Sequence, residues 1–383
     1  MIYVKRTFHP IGQGAFFTEQ FFDKSQDKLL YNVVYDCGLK SSGIQKRMER
    51  TIRNSLHDKK VIDVLFLSHF DDDHVNYVMC LKSKGYLAST RIFIPMLAAE
   101  DWLEIEPFVS NYRLILSLNE QRQGGTKVIK VDFDKDEERL AENVVEPRTI
   151  EEIDEDTILS GTILRPAVST TGPIWRYTPF NVQFKKLISD FKTQLRVEGL
   201  DYSQLTDKDY ILSNMGKLKK IYQGLGKKPS GGTAINLNSL LVMSYPENPV
   251  NCEEISRRSL CDLFYYRWHQ FEGRSAGSCL YTGDTSANED FVWDRIEKMI
   301  EKCLGTKEKL LLIQIPHHGS KNSYDQKLLD TNRFYAGFTN YDPFYKQHVF
   351  DDNLVMRFAL RRKPLILVTS EYASQYEEYW GVR

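Results

Sequence analysis

Eight histidines occur in the chain, and five of them, His69, His74, His317, His318 and His348, fall in polar turns after strand-like runs or in the C-terminal loop. Imidazole and carboxylate delivered by a rigid strand into an open loop is what a metal centre needs. The strand fixes the ligands and the loop leaves a coordination position open. The segment Ser68-His69-Phe70-Asp71-Asp72-Asp73-His74 offers four candidate ligands, His69, Asp71, Asp73 and His74. Alternate residues of an extended loop share a side, so His69 and Asp71 can serve one ion while Asp73 and His74 turn towards a second. The plainer reading is an acidic cap on the helix that follows, for which Asp72 or Asp73 is suited. Capping uses one carboxylate and leaves both histidines without a role. Asp72 falls off the ligand spacing and is expected to be a surface or capping residue.

The elements that must hold this loop are legible around it. Residues 61–67 are short, apolar and rich in Val, Ile, Leu and Phe, which reads as a buried strand feeding the loop. A helix is expected from the loop to about residue 84 and a strand at 91–95, completing an α/β unit. Upstream, apolar runs at 1–8, 15–22 and 29–34 alternate with turns as a β-meander ending in Asp36-Cys37-Gly38, and 41–57 suits an exposed helix. Residues 98–123 look helical and 131–157 are strongly acidic, a solvated face or loop inside an insertion at 98–160. A second, helical insertion spans 181–230 and carries a surplus of base, including Lys185, Lys186, Lys192, Lys217, Lys219, Lys220, Lys227 and Lys228. Further strands are expected at 234–244, 278–282, 310–315, 333–338 and 364–369, with a helix at 289–304.

Composition narrows the function classes. At 383 residues, with 42% hydrophobic and 12% aromatic residues, the chain is long enough to bury a sizeable core, which excludes a stapled mini-scaffold and wholesale disorder. Lys plus Arg number 51 against 52 for Asp plus Glu, so no global field steers a polyanion and any nucleic-acid contact must use a local patch. No run approaches the ~20 apolar residues of a membrane span, and the N-terminus lacks the apolar centre of a signal peptide. A cytoplasmic location without membrane partners is expected. The six cysteines show no C-x-x-C spacing, so reduced thiols are expected rather than a zinc clip or a disulfide framework.

Taken together, the motifs resemble the metallo-β-lactamase fold, and within it the metallo-hydrolase domain of the ComEC-type competence proteins that internalise DNA. Ser68 to His74 is similar to the Ser-His-x-Asp-x-Asp-His form of the family's His-x-His-x-Asp-His signature. Ile11-Gly12-Gln13-Gly14 resembles the opening Val-Gly-Gln-Gly turn, and Asp36 the aspartate that follows the first long strand. Asn236-Leu237-Asn238-Ser239-Leu240 resembles an Asn-x-Ser-Leu stretch, Thr282-Gly283-Asp284 a Thr-Gly-Asp motif, and His317-His318-Gly319-Ser320 a His-His-Gly-Ser turn. The matches run in the family's order from Ile11 to about His348.

The resemblance implies a four-layer αβ/βα sandwich built as a single domain over residues 1–383, with helical insertions. It implies two divalent metal ions: His69 and Asp71 on one, Asp73, His74 and His318 on the other, and Asp284 bridging. Asp73, His74 and His317 are the expected catalytic residues. His317 is assigned to phosphate contact because neighbours leaving a strand point oppositely. Asp36, Asn238, Ser320 and His348 are expected to support ligands or touch substrate. Many family members have a histidine where this chain has Asn238-Ser239; with Asp71 in place of the usual second histidine, its absence makes the first site oxygen-rich, which suits manganese or magnesium better than an all-histidine site does, so zinc is not assumed. The implied activity is a metal-dependent phosphodiesterase, a DNA nuclease using metal-bound hydroxide. Alternatives are hydrolysis of a small substrate, such as a cyclic nucleotide, a phosphorylated metabolite or a lactone, and a regulated subunit of a bacterial anti-phage system whose insertions bind protein partners.

Overall fold

The structure is a computed structural model that describes residues 1–40, 45–56, 61–96, 125–132, 146–168, 172, 174–182, 185–224, 239–259, 276–324, 326–345 and 350–382. Its strands are β1 (Ile2–Phe8), β2 (Gly14–Asp23), β3 (Lys28–Leu39), β4 (Val64–Phe66), β5 (Arg91–Pro95), β6 (Lys127–Val131), β7 (Arg148–Thr149), β8 (Thr157–Ile158) and β9 (Leu164–Arg165). These are followed by β10 (Trp175–Phe180), β11 (Leu241–Pro246), β12 (Cys252–Ser259), β13 (Cys279–Tyr281), β14 (Leu310–Gln314), β15 (Phe334–Asn340), β16 (Leu365–Val368) and β17 (Tyr376–Val382). The helices are α1 (Gln45–Ser55), α2 (Asp72–Val75), α3 (Val78–Ser83), α4 (Lys185–Val197), α5 (Lys208–Gly224), α6 (Asp290–Leu304), α7 (Gln326–Asp330) and α8 (Leu354–Leu360).

Among the described residues the strands form two sheets, ordered β12-β17-β1-β2-β3-β4-β5-β6-β8 and β16-β15-β14-β13-β11-β10-β9-β7. Strand periodicity sorts the side chains into layers. On β3, Val33 and Tyr35 enter the core between the sheets, with Phe66, Tyr177, Val242, Tyr281 and Phe338. Val34, between them, faces outward to pack with Leu65, Met48 and Ile52 of α1, and Val75, Val78 and Leu81 of α2 and α3. On the far side, Val292, Ile296 and Ile300 of α6, with Leu328, Leu354 and Phe358, cover Leu280, Leu310 and Ile313 of the second sheet. Helices, sheet, sheet, helices: the chain is a four-layer αβ/βα sandwich.

The segment 98–160 contributes β6 and β8 to the first sheet and β7 to the second, while residues 97–124 and 133–145 lie outside the described set. Between β10 and β11, α4 and α5 close on a small core of their own around Phe191, Leu195, Leu205, Ile211 and Leu218. This segment leaves from Phe180 and returns to Leu241, its partner in register, and Val242 in turn pairs with Tyr281. Both roots of the segment therefore stand at the sheet edge from which Thr282-Gly283-Asp284 emerges.

The core between the sheets is not wholly apolar. Arg6, at 0% exposure, donates to Glu19 at 2.8 Å, Glu378 at 2.8 Å and the Gly277 carbonyl at 2.8 Å. Glu19 also accepts from Tyr177 and Tyr281 hydroxyls at 2.8 and 2.7 Å and from Ser244 Oγ at 2.7 Å. Burial would push the Glu19 carboxyl up, but Arg6 and these donors outweigh it and hold it below the usual carboxylate range. The network ties β1, β2 and β17 of one sheet to β10, β11 and β13 of the other, fixing how the sheets sit face to face. Arg6→Met leaves two carboxylates in the core without their cation, a change that costs ~3–5 kcal/mol. Urea denaturation followed by circular dichroism should show that loss.

Candidate metal centre

The loop after β4 is shaped by β3. Between β2 and β3 the pairing shifts from Ala15/Gly38 to Phe17/Tyr35, so Phe16 faces two residues, Asp36 and Cys37. Asp36 is the extra residue of this bulge and has a left-handed backbone, φ 56°. Cys37 and Leu39 then face the helices although alternation from Tyr35 would turn them inward. The bulge thus resets the strand and leaves the Asp36 carboxylate buried under the loop, where its Oδ1 accepts from Ser68 N at 2.7 Å and its Oδ2 from Ser68 Oγ at 2.7 Å. His74 Nδ1 lies 2.8 Å from the same Oδ2. Gly38 follows because α2 rests directly on the strand: a Cβ there would lie 2.5 Å from His74 N and from the Asp73 carbonyl carbon.

These bonds fix the imidazole tautomers. A carboxylate only accepts, so His74 Nδ1 donates to Asp36 and its Nε2 is turned towards Asp284. Ser68 Oγ has given its proton to Asp36, so it accepts from His69 Nδ1 at 2.9 Å, which leaves the His69 Nε2 lone pair free. His318 Nδ1 must donate to the Asn340 carbonyl at 2.9 Å, with the same result. Three rings thus turn Nε2 inward, and Nε2 of His69, His74 and His318, with Oδ1 of Asp284, are buried atoms that make no hydrogen bond. Buried polar atoms are normally satisfied. These atoms fall in two overlapping groups that share His74, an arrangement suited to holding cations.

Ligand atoms of His69, His74 and Asp284 lie within 4.8 Å of each other, as do those of Asp73, His74 and His318. The Asp284 carboxylate stands 3.3 Å from His74, 3.8 Å from His69 and 3.7 Å from His317, and the Asp73 carboxylate 3.3 Å from His318. Asp71 sits 3.8 Å from His69 with 25% of its side chain exposed, at the open side of the cluster. It occupies the N-cap position of α2, yet its side chain makes no capping bond, so capping does not account for it. Asp284 is held by its own N–H donating to Ser239 Oγ at 3.1 Å. Gly283 before it has φ 56°, and a Cβ there would lie 2.7 Å from Ser68 Cβ.

His317 and His318 differ from the alternation expected of an extended exit. Both have left-handed backbones, φ 50° and 54°, and Gly319 follows at 77°. The turn brings both rings to the carboxylates, His317 to Asp284 and His318 to Asp73. Left-handed non-glycine residues cost ~1–3 kcal/mol each and persist where the surroundings over-determine them, often at functional sites. Ser320 closes this turn, its N–H donating to the His317 carbonyl at 2.9 Å. Asn238 and His348 lie outside the described residues.

Charge in the cluster is strongly coupled. Burial would raise the Asp284 carboxyl, but His74, His317 and His318 outweigh it and hold it well below the carboxylate range. His74 moves the other way: burial opposes its charge, but Asp284 and Asp36 raise it well above the ordinary imidazole value. Burial lowers His69 to about 3, helped by His74. Asp71 is raised to about 7 by burial and by its neighbours Asp73 and Asp284. A cation at Nε2 of His74 replaces the proton those carboxylates demand.

Two residues at the site had no motif to point to them. Lys40, just past β3, places Nζ 3.6 Å from Asp73 Oδ2 while remaining 41% exposed. Ser68 and Ser239 stood inside quoted motifs, but their roles as hydrogen-bond relays needed the fold. Asn340, whose carbonyl orients His318, had no local signal at all.

No family model matches the chain, and no curated protein matches it. Among solved structures it is similar to the metallo-β-lactamase fold protein YhfI from Bacillus subtilis, at 10% identity and a TM-score of 0.39, over 98% of this chain and 100% of that one. It is similar to the short form of human tRNase Z at 10% identity and a TM-score of 0.36, over 96% and 92% of the two chains. A long-form RNase Z from yeast gives 10% and 0.32, covering 97% of this chain and 36% of that one. The chemistry of the site is therefore read from its own side chains.

The bond pattern makes Asp36 the support for two imidazoles at once. Asp36→Ala should weaken metal affinity ~10–100-fold, the usual effect of removing a group that orients ligands. Chelator competition measures it directly.

Proposed function

We propose that this chain is a metal-dependent phosphodiesterase, a nuclease acting on DNA, with two divalent ions, zinc or manganese, held by His69, Asp71, Asp73, His74, Asp284 and His318. The observation that carries the reading is the convergence of buried, unbonded Nε2 atoms of His69, His74 and His318 on Asp284 and Asp73. The donor set, imidazole nitrogen mixed with carboxylate oxygen, suits either ion. When bound, such ions supply Lewis-acid polarisation of a phosphoryl oxygen and activation of water at neutral pH.

The chain's own groups have separable tasks. Asp36 and Ser68 keep His69 and His74 in the tautomer that turns Nε2 inward, and Asn340 does the same for His318. Asp73 and Asp284 supply the negative charge that draws cations into a desolvated site. Lys40, at the open side, is suited to meet a non-bridging phosphate oxygen, since its ammonium reaches Asp73 while exposed. His317, with Nε2 3.7 Å from Asp284 and its side chain 20% exposed, is the group suited to contact the phosphate. The proposed preference for DNA rests on the ComEC-type motifs, and catalysis within the cytoplasm accords with the sequence composition. Among the described residues no helix is long and apolar enough to cross a membrane.

Protein purified without chelator should carry close to two transition-metal ions per chain by elemental analysis, and Asp284→Ala should lower that content, because its carboxylate touches several of the imidazoles. Asp73→Ala should abolish cleavage of DNA and of bis-p-nitrophenyl phosphate, while Asp72→Ala keeps near wild-type rates. Metal-loaded protein is assayed against linear, circular and single-stranded DNA, RNA and cyclic nucleotides. Turnover of cyclic nucleotides without cleavage of any polymer would replace the nuclease by a small-substrate enzyme.

A further inference from the structure

Residues 310–315 are apolar except for Gln314, the last residue of β14, which is 5% exposed. A buried amide is costly unless its polar atoms are bonded. Gln314 Oε1 accepts from two successive backbone donors, Thr282 N at 2.9 Å and Gly283 N at 3.1 Å. Two N–H donors require that the oxygen of the amide, and not its nitrogen, faces them. The backbone carbonyl of Gln314 accepts in turn from Thr282 Oγ1 at 3.0 Å. The sheet dictates this meeting: β13 and β14 run parallel with Leu280 opposite Ile313, so Gln314 stands beside Tyr281, the residue from which Thr282-Gly283-Asp284 departs.

That turn is what places Asp284. Its carboxylate Oδ1 makes no hydrogen bond, so the direction of the side chain follows from the backbone that carries it. The backbone is held by Gln314 on one side and on the other by Ser239 Oγ, which accepts from Asp284 N at 3.1 Å. His318 has an anchor of its own, the bond from Nδ1 to the Asn340 carbonyl. Of the two candidate groups, His69–His74–Asp284 therefore depends on the turn, whereas Asp73–His74–His318 has no member in it.

We propose that Gln314 is a positioning residue whose side-chain oxygen, by gripping the N–H groups of Thr282 and Gly283, sets Asp284 for the cation shared with His69 and His74, and does not serve the cation of Asp73, His74 and His318. The proposal rests on the two-ion reading of the centre and deepens it by giving one ion a support that is not a ligand. Methionine at 314 fills similar space with no comparable acceptor and leaves two buried N–H groups unpaired, which frees the turn to move. Glutamate keeps an oxygen for both donors.

The experiment titrates cobalt(II) into chelator-treated full-length protein, follows its visible absorption, and compares wild type with Gln314→Met and Gln314→Glu. The binding step lost in His69→Ala identifies the ion of the Asp284 group. Gln314→Met should bind that ion ~10–100-fold more weakly, the usual effect of removing a group that orients ligands, and the other ion within about threefold of wild type. Gln314→Glu should bind both at wild-type strength or better. Unchanged affinity for both ions in Gln314→Met overturns the proposal, and so does equal weakening of both, the result of a general loosening of the fold. Weak binding by Gln314→Glu overturns it as well. Where circular dichroism shows that Gln314→Met does not fold, Gln314→Asn is judged by the same outcomes, because it keeps the amide and draws the oxygen back by one carbon. A wild type that takes up no cobalt overturns the two-ion reading and the proposal together. The expected contrast in cobalt binding, without hydrolysis of DNA, RNA, cyclic nucleotides or bis-p-nitrophenyl phosphate by zinc- or manganese-loaded wild type, supports the role of Gln314 and overturns the phosphodiesterase reading alone.

Discussion

Asp36 is a buried carboxylate whose three acceptor bonds must all be made, because a charge taken from water without compensation is very costly. Its donors, Ser68 N, Ser68 Oγ and His74 Nδ1, all belong to the loop that carries the candidate ligands. Satisfying the carboxylate therefore fixes the backbone of the loop and two imidazole orientations in one event. The geometry is available only because a bulge adds one residue to β3 and lets Asp36 take a left-handed backbone. Gly38, two residues on, then leaves room for α2 to settle on the strand.

The other half of the candidate centre comes from the facing sheet. Asp284 follows β13, His317 and His318 follow β14, and the carbonyl that orients His318 ends β15. Their positions relative to His69 and His74 depend on how the two sheets stack. An apolar interface alone tolerates sliding. The Arg6 network does not, because its partners lie on six strands of both sheets and each bond is directional. Ser239 and Leu240 add a second link close to the site: Leu240 N donates to the Ser68 carbonyl at 2.7 Å, and Tyr35 donates to the Leu240 carbonyl at 2.7 Å.

Much of the architecture was legible locally. The strand at Arg91–Pro95 and the helix at Asp290–Leu304 sit where their apolar runs and periodicity placed them, and the meander over the first three strands follows from alternating turns. The loop 68–74 was recognisable because several ligand types crowd into it after an apolar strand. What sequence did not reveal depends on distant partners. The bulge at Asp36 exists only relative to β2, and the left-handed pair His317-His318 carries no glycine to announce it. Strands β12 and β17 were missed because they are polar in alternation, Cys252–Ser259 above all, and gain their place by pairing with each other and, for β17, with β1. Lys40 is a single lysine among many, distinguished solely by the carboxylate it reaches.

The pairing of β17 with β1 joins the first residues of the chain to residues 376–382, with Ile2 opposite Val382 and Phe8 opposite Tyr376. Glu378 on that strand is also the second carboxylate on Arg6. During synthesis, β1 must wait with an open edge and a half-compensated guanidinium until residues 376–382 have emerged. Pairings of such sequence separation are slow to form and leave exposed strand edges meanwhile. The first sheet is thus completed by a strand made long after the one it pairs with. The loop carrying His69 and His74 is made long before the strand whose Glu378 helps to fix the stacking of the sheets, so the candidate ligands cannot be aligned until residues 376–382 have been added.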